Sequence, residues 1–384
     1  MSPARFNPLR STDFALRIRG NDVRGAGTLN EPQSGVQVTD VALRHDISRG
    51  VGSADLDVAN LRFAPEGLQP ERLTRLTLGV VADVDATLAG RGRIDWAPSA
   101  VTSTGRFRIQ AASFAAPFGP VTGLATELEF TDLLGLVTAP GQRLTVATVN
   151  PGILVEEGVA SYRLLPGFRV AVEGARWPFA GGELLLQPTV LDFSEDAARR
   201  LTFELRGLDA ARFVNQLEFS NINATGTFDG TLPMVFDADG GRVTGGALAS
   251  RAPGGTLAYV GEVSNANLGI WGDIAFDALK SIQYENMTIG IDGRLDGEMV
   301  SQIRFNGVSR GTIEPVATGL IARIGGQLAK EVQRIPFIFN IRVAGPFRSL
   351  IAMARSFDDP SMLIQDRLGP QFQTVQPPST EDKR

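Results

Sequence analysis

GRFRIQAASF (residues 105–114) decides the fold. It places Phe107, Ile109 and Ala111 on one side and Arg106, Arg108 and Gln110 on the other. This is the period-two alternation of a strand with one apolar and one wet face. The pattern recurs along the chain. TELEF (126–130) sets Leu128 and Phe130 against Glu127 and Glu129. FRVAVEG (168–174) sets Phe168, Val170 and Val172 against Arg169, Ala171 and Glu173. RRLTFELRG (199–207) sets Leu201, Phe203 and Leu205 against Thr202, Glu204 and Arg206. FIFNIRVAG (337–345) sets Phe337, Phe339, Ile341 and Val343 against Ile338, Asn340 and Arg342. Turn signals punctuate these runs: NPG at Asn150–Gly152, DADGG at Asp237–Gly241, APGG at Ala252–Gly255 and LDG at Leu295–Gly297. The last makes residues 287–307 a hairpin. Roughly 18 to 20 strands fit this spacing, and the chain reads as mainly β.

Four short segments read as helices packed on the sheet. Leu68–Leu78 has a proline near its start and leucines at helical spacing, and Asp209–Phe219 opens with an aspartate suited to cap it. Asn267–Ile282 and Ala317–Gln333 present apolar residues on one side. The end, QFQTVQPPSTEDKR, is polar and non-periodic and reads as a frayed tail.

Composition narrows the chemistry. The 384 residues are 43% hydrophobic and 21% charged, which is enough apolar content to bury a core. There is no Cys, which removes disulfides, thiolate metal sites and cysteine nucleophiles. The single His45 cannot build a histidine metal cluster or proton relay, and a net charge of −5 disfavours a phosphate-backbone binder. The 43 glycines make up about 11% of the chain against the usual ~7%, which points to turns, bulges and close backbone approaches. No run of 18 apolar residues is present, and residues 1–20 contain no signal-peptide core.

No motif assembles a reaction. GVSRG (Gly307–Gly311) matches the nucleophile-elbow spacing, but it sits at the end of a hairpin strand with the only histidine far upstream. DADGG resembles the start of a Ca²⁺ loop whose twelfth position would be Leu248 rather than a glutamate. The glycine clusters GRGR (Gly90–Arg93) and GVGS (Gly50–Ser53) lack the P-loop lysine and the dinucleotide fingerprint. The acid pairs Glu156/Glu157 and Asp358/Asp359 are adjacent, so in a strand they point to opposite faces. The reading is a protein with no catalytic site, no metal site and no cofactor.

What remains is the apolar face that so many strands must cover. A sandwich or barrel would close it on itself, while an open curled sheet would keep a continuous apolar trough. Periodicity gives the same alternation for both and by itself favours closure.

The stretch LLQPTVLDFSEDAARRLTFELRGLDAARFVNQLEFSNINATGTFDGTLPMVF (185–236), followed by GGRVTGGALASRAPGGTLAYVG (240–261), resembles the C-terminal domain of the YdbH family. That family belongs to the AsmA-like group of bacterial intermembrane lipid transporters. Three features carry the resemblance. A strand, LTFELRGLDAARFV, runs into a helix at Leu208–Leu217. TGTFDGTLPMVF is a strand whose Gly230 and Pro233 mark a bend. GGALASRAPGGTLAYV is a strand, a Pro-Gly turn and another strand. The motifs are structural, and the resemblance is clear over residues 140–350 and compatible over 1–139.

The resemblance implies a long, twisted, curled antiparallel sheet forming an open hydrophobic groove. The groove carries phospholipid between the inner and outer membranes through the periplasm of a Gram-negative envelope. It also implies a small outer-membrane lipoprotein as partner, adding a strand beside Phe337–Val343 near the C-terminal end. Members carry one N-terminal membrane anchor. This chain begins without one and is shorter, and it is expected to be the C-terminal part of such a protein. The expected organisation is a β-rich groove segment at 1–139, a YdbH-like domain at 140–350 and a C-terminal segment at 351–384. Candidate lining residues are Phe107, Ile109, Leu128, Phe130, Phe168, Val170, Val172, Leu201, Phe203, Leu205, Phe337, Phe339 and Ile341. About 18 strands at ~4.8 Å would make a trough about 85 Å long. A closed β-scaffold of the envelope is the alternative. A dicarboxylate-transport label attached to the same domain is a weaker third reading, because the arginines alternate along strand faces instead of converging.

Overall fold

A computed structural model describes residues 5–116, 118–151, 153–193, 197–216, 222–237, 240–259, 282–295, 297–309 and 336–346. Among them are twenty-one strands in one sheet and a single short α-helix. The strands follow the chain: β1 (Ala15–Arg19), β2 (Asp22–Asn30), β3 (Gln37–Asp46), β4 (Val51–Phe63), β5 (Ala82–Ala97), β6 (Ala100–Ala116) and β7 (Gly119–Asp132). Then come β8 (Val137–Thr138), β9 (Gln142–Val149), β10 (Val155–Leu165), β11 (Arg169–Phe179), β12 (Gly182–Leu186), β13 (Thr189–Asp192) and β14 (Arg199–Asp209). After the helix α1 (Ala210–Gln216) follow β15 (Ile222–Ala224), β16 (Thr227–Asp237), β17 (Gly240–Ser250), β18 (Gly255–Tyr259), β19 (Ile282–Arg294), β20 (Glu298–Ser309) and β21 (Pro336–Pro346).

Every pairing is antiparallel, and the pairings run in one line from β1 to β21. Among the described residues none returns from β21 to β1, so the sheet is open. The short strands β8, β15 and β18 pair along its flanks, and β12 and β13 share one position beside β11. The line β1–β7, β9–β11, β12/β13, β14, β16, β17, β19–β21 has seventeen positions, or roughly 75–80 Å of sheet at ~4.8 Å spacing.

The sheet curls because its ladder is interrupted strand after strand. Register breaks lie between Val58 and Leu61, Ile109 and Ala112, Ser161 and Tyr162, Thr231 and Met234, Val243 and Gly246, and Tyr284 and Asn286. Each inserted residue bends the strand and adds twist. The break in β16 falls at Leu232–Pro233, beside the expected bend.

Other expectations are met in detail. Residues 287–307 are the β19–β20 hairpin, in register from Met287 opposite Phe305 to Gly293 opposite Met299. β14 runs directly into α1, where the Asp209 carboxylate accepts the Arg212 N–H at 2.9 Å and caps the helix. The proposed helix at Ala317–Gln333 and nearly all of Asn267–Ile282 lie outside the described residues, as do Asp358/Asp359 and the tail.

Two expectations are corrected. Leu68–Leu78 is not a helix but two 3₁₀ turns, Pro70–Arg72 and Arg75–Thr77, with Thr74 extended between them. The Thr74 hydroxyl takes the Leu76 N–H, and the Gln69 amide bonds Ala64 and Val84. Such side-chain bonds compete with helix propagation. The alternation through 105–114 also breaks: Ala111 (φ +50°) is bulged out, and Ala112, 4% exposed, takes the covered position instead.

Candidate functional site

One face of the sheet can be followed from edge to edge through cross-strand partners, which lie on the same side. The row Leu16, Gly25, Leu43, Ala54, Ile94, Ser103 runs from β1 to β6. Two residues along β6, Gly105 faces Phe130, and Phe107 faces Leu128. On β7 the row moves to Thr126 and continues through Leu144, Ala160, Ala175, Leu186, Phe203 and Leu232. From Gly230 it passes through Leu248, Ile289 and Ile303 to Ile341 in β21. Bulges shift individual strands, yet apolar residues resume the same face after each of them.

Three apolar clusters line this face. The first gathers Val58, Leu61, Phe63, Val84, Ala86, Phe107, Ala112 and Phe130, with Ile109, Leu128 and Leu164 against it. Leu164 of β10 joins this cluster beside β8, where its N–H donates to the Thr138 hydroxyl at 2.9 Å and Thr138 stands opposite Phe130. The second contains Ala160, Ala175 and Leu186, with Leu144, Val172, Leu201 and Phe203 packed against them. The third holds Phe179, Leu205, Leu208, Phe228, Ile282, Tyr284, Met287 and Phe305, with Ala210 and Phe213 of α1 closing one end.

Glycines let aromatic rings lie flat on the strands. The ring of Phe107 covers Gly90, leaving only 2.6 Å to where a Cβ would stand. Trp96 covers Gly52, and Trp177 covers Gly158 in the same way. Phe107 meets Phe130 edge-on at 5.9 Å, and Trp177 meets Phe203 at 6.1 Å. Gly90–Arg93, the glycine cluster without a phosphate-loop signature, is the middle of β5, where Gly90 makes room for the Phe107 ring and Gly92 for the Leu133 side chain.

Polar groups on this face are held by the protein itself. Buried Gln142 accepts the Glu129 N–H at 2.8 Å and donates to Ala139 at 3.0 Å. The Tyr162 and Thr126 hydroxyls bond at 2.9 Å, and burial pushes the Tyr162 phenol upward in pKa. The Tyr284 hydroxyl donates to the Thr225 carbonyl at 2.6 Å, and burial pushes its pKa up to about 12. Only the Trp177 indole N–H is buried without a partner among the described residues.

The other face is a lattice of ion pairs. Arg93 bonds Asp55 at 2.9 Å and Asp95 at 2.8 Å, and Arg91 bonds Asp57 at 3.2 Å. Arg106 bonds Glu129, and Arg251 bonds Asp229 at 2.6 Å. The Arg251 guanidinium holds the Asp229 carboxyl below the usual carboxylate range. A shallow hollow of about 670 Å³ over Thr28, Asp40, Asp55, Asp57, Arg91 and Arg93 is lined by these mutual pairs. Among the described residues no three acidic or imidazole groups gather as a metal site. His45 accepts the Trp96 indole N–H at 3.1 Å and stacks on that ring. Glu157 is bulged at φ +56° beside Glu156, and both are exposed. Ser309 is the last residue of β20, opposite Ile282 in the ladder.

The residues singled out from sequence fall as follows. Phe107, Ile109, Leu128 and Phe130 belong to the first cluster, Val172, Leu201 and Phe203 to the second and Leu205 to the third. Val170 stands opposite Leu164 on the same face. Phe168 lies before β11 in a turn at φ +59°, beneath the Arg5 guanidinium at 5.1 Å. Phe337, Phe339 and Ile341 stand in β21 opposite Gly307, Phe305 and Ile303. Sequence reading missed Tyr162, Trp177, Leu186, Phe228 and Met287, although alternation in SYRLL and GELLL carried a signal for Tyr162 and Leu186. Among the described residues the geometry offers one long apolar surface with a charged exterior and no converging reactive groups.

The described helices include none long and apolar enough to cross a membrane. A family model described as "YdbH-like: Intermembrane phospholipid transport protein YdbH" matches residues 2–369. Comparison with curated proteins and with solved structures gave no match.

Proposed function

The chain belongs to the YdbH-like intermembrane phospholipid transport family, and from that premise we propose that its apolar face is the path along which phospholipid moves between the inner and outer membranes. The observation that carries the reading is the continuity of that face from Leu16 in β1 to Ile303 in β20 through directly paired neighbours. Acyl chains leaving a bilayer would expose apolar area at ~25 cal/mol per Å². A trough of Leu, Val, Ile and Phe side chains removes that cost without directional bonds, so a lipid can slide along it. The charged outer lattice keeps the opposite face wet, and head groups project through the open side.

The lining set is the one named from sequence, centred on Phe107, Ile109, Leu128, Phe130, Val170, Val172, Leu201, Phe203 and Leu205, with Phe337, Phe339 and Ile341 extending it to β21 and Phe168 at its margin. The site of action is the periplasm, with the full-length protein anchored in the inner membrane. A small outer-membrane lipoprotein adds a strand beside β21. The family is a transport family and not a catalytic one.

The test is photo-crosslinking in cells. A benzophenone side chain at Phe203 is expected to capture phospholipid, while the same group at Glu204, on the opposite face, is expected to capture none. Labelling at Glu204 alone would refute the path. A lipid-free protein at both positions would favour a purely structural scaffold.

A further inference from the structure

Residues 64–81 leave the sheet between β4 and β5 and fold back over its apolar face. Leu68 is 3% exposed within the cluster of Phe63, Val84, Phe107 and Phe130, and Leu73 and Val81 pack on the same cluster. The segment is rooted at one end by Gln69, whose amide donates to Ala64 and Val84 carbonyls and whose oxygen takes the Val84 N–H at 2.9 Å. Its far end is strapped down by the chain before β1. Asn7 donates its backbone N–H to Leu73 at 2.8 Å and its side chain to Glu71 and Arg72. The Thr74 hydroxyl donates to the Arg5 carbonyl at 2.7 Å, and Phe6 forms a β-bridge with Thr74. Arg5 then reaches across to the opposite rim, donating to the Leu134 carbonyl at 3.1 Å and covering the Phe168 ring.

The segment and strap thus span the trough from the β4–β5 end to the β7–β8 turn. Beneath them Phe63, Ala86, Phe107 and Phe130 are all under 10% exposed. Farther along, Val172, Leu201 and Phe203 are only half-buried. The fastening is made of main-chain and polar bonds outside the apolar contact, while the contact itself consists of leucine and valine side chains that an acyl chain can replace in kind.

We propose that residues 64–81 are a lid on the groove, latched by Arg5–Asn7, and that Leu68 and Leu73 occupy the place an acyl chain takes when the lid lifts. The inference rests on the phospholipid path proposed above. The lid in place closes the β4–β8 section to lipid, and its release opens that section.

The chain has no cysteine, so a single disulfide can lock the lid. Residues in a β-bridge have Cα atoms within the range a disulfide spans, which makes Phe6→Cys with Thr74→Cys the chosen pair. Each protein also carries a benzophenone at Ile109, under the lid, or at Phe203, outside it. Phospholipid labelling at Ile109 is expected to fall about tenfold on oxidation and return on reduction, while labelling at Phe203 persists. Equal labelling at Ile109 in oxidised and reduced protein overturns the lid. Loss of labelling at both positions in the reduced protein overturns the lipid path itself. Failure of the pair to oxidise would also count against the latch, because the Phe6–Thr74 register is what fastens it. As an independent variant, Leu68→Gln with Leu73→Gln is expected to raise labelling at Ile109, and no rise would contradict the lid.

Discussion

Tyr284 ties the third apolar cluster together, and its ionisation gives the packing a measurable pH signature. The residue is 1% exposed, its hydroxyl donates to Thr225 at 2.6 Å, and its ring lies 6.3 Å from that of Phe228. Burial pushes the phenol up to about 12 from its ordinary 10.0. The folded protein therefore holds this proton more tightly than the unfolded chain does. The resulting stabilisation is complete below pH 10 and is lost as the pH rises from about 10 to about 12. Two pKa units correspond to about 2–3 kcal/mol. Tyr284→Phe removes the titrating group and leaves the Thr225 carbonyl without its donor, which costs about 1–2 kcal/mol at pH 8. Urea unfolding followed by tryptophan fluorescence at pH 8 and near pH 12 separates the two effects. Wild type is expected to be the more stable at pH 8, with the gap closing or reversing near pH 12. The chain has only three lysines, and the other two tyrosines, Tyr162 and Tyr259, are present in both proteins, so the comparison isolates Tyr284. A gap that stays constant across this range would refute the buried, hydrogen-bonded phenol.

Two further substitutions test the packing and the local structure. Phe107→Ala removes a ring that is 9% exposed and packed edge-on to Phe130, and is expected to lower unfolding stability by about 3–5 kcal/mol with an unchanged denaturant slope. A loss under about 1 kcal/mol, the range of an exposed position, would show that the ring is not packed. Asp209→Ala removes the acceptor that caps α1 and should cost about 1 kcal/mol, most of it recovered in Asp209→Asn, as read by thermal or urea unfolding.

Much of the fold was legible because alternation is a local signal. The strands around Phe107, Phe130, Phe203 and Ile341, the 287–307 hairpin and the Asp209 cap can each be read within about a dozen residues. The continuity of the apolar face was not legible, because it depends on register between strands. Nothing in 105–114 alone reveals that Ala111 is bulged and that Ala112 takes the inner position. Openness is equally non-local: it lies in the pairing of β1 and β21, and both a sandwich and a groove would show the same period. Leu68–Leu78 misled because leucine spacing fits a helix. Gln69 and Thr74 instead spend their side chains on the backbone, and Leu68 and Leu73 pack downward on a sheet while Leu78 is exposed. Phe168 matched the period of β11, yet the turn at Gly167–Phe168 sets it outside the ladder.

The central claim is that one face of this sheet carries lipid, and β14 tests it most directly, since its side chains alternate between the two faces. Benzophenone placed in turn at Leu201, Thr202, Phe203, Glu204, Leu205 and Arg206 should give phospholipid adducts at Leu201, Phe203 and Leu205 and none at the three positions between. Adducts spread evenly over all six positions, or confined to Thr202, Glu204 and Arg206, would contradict the account.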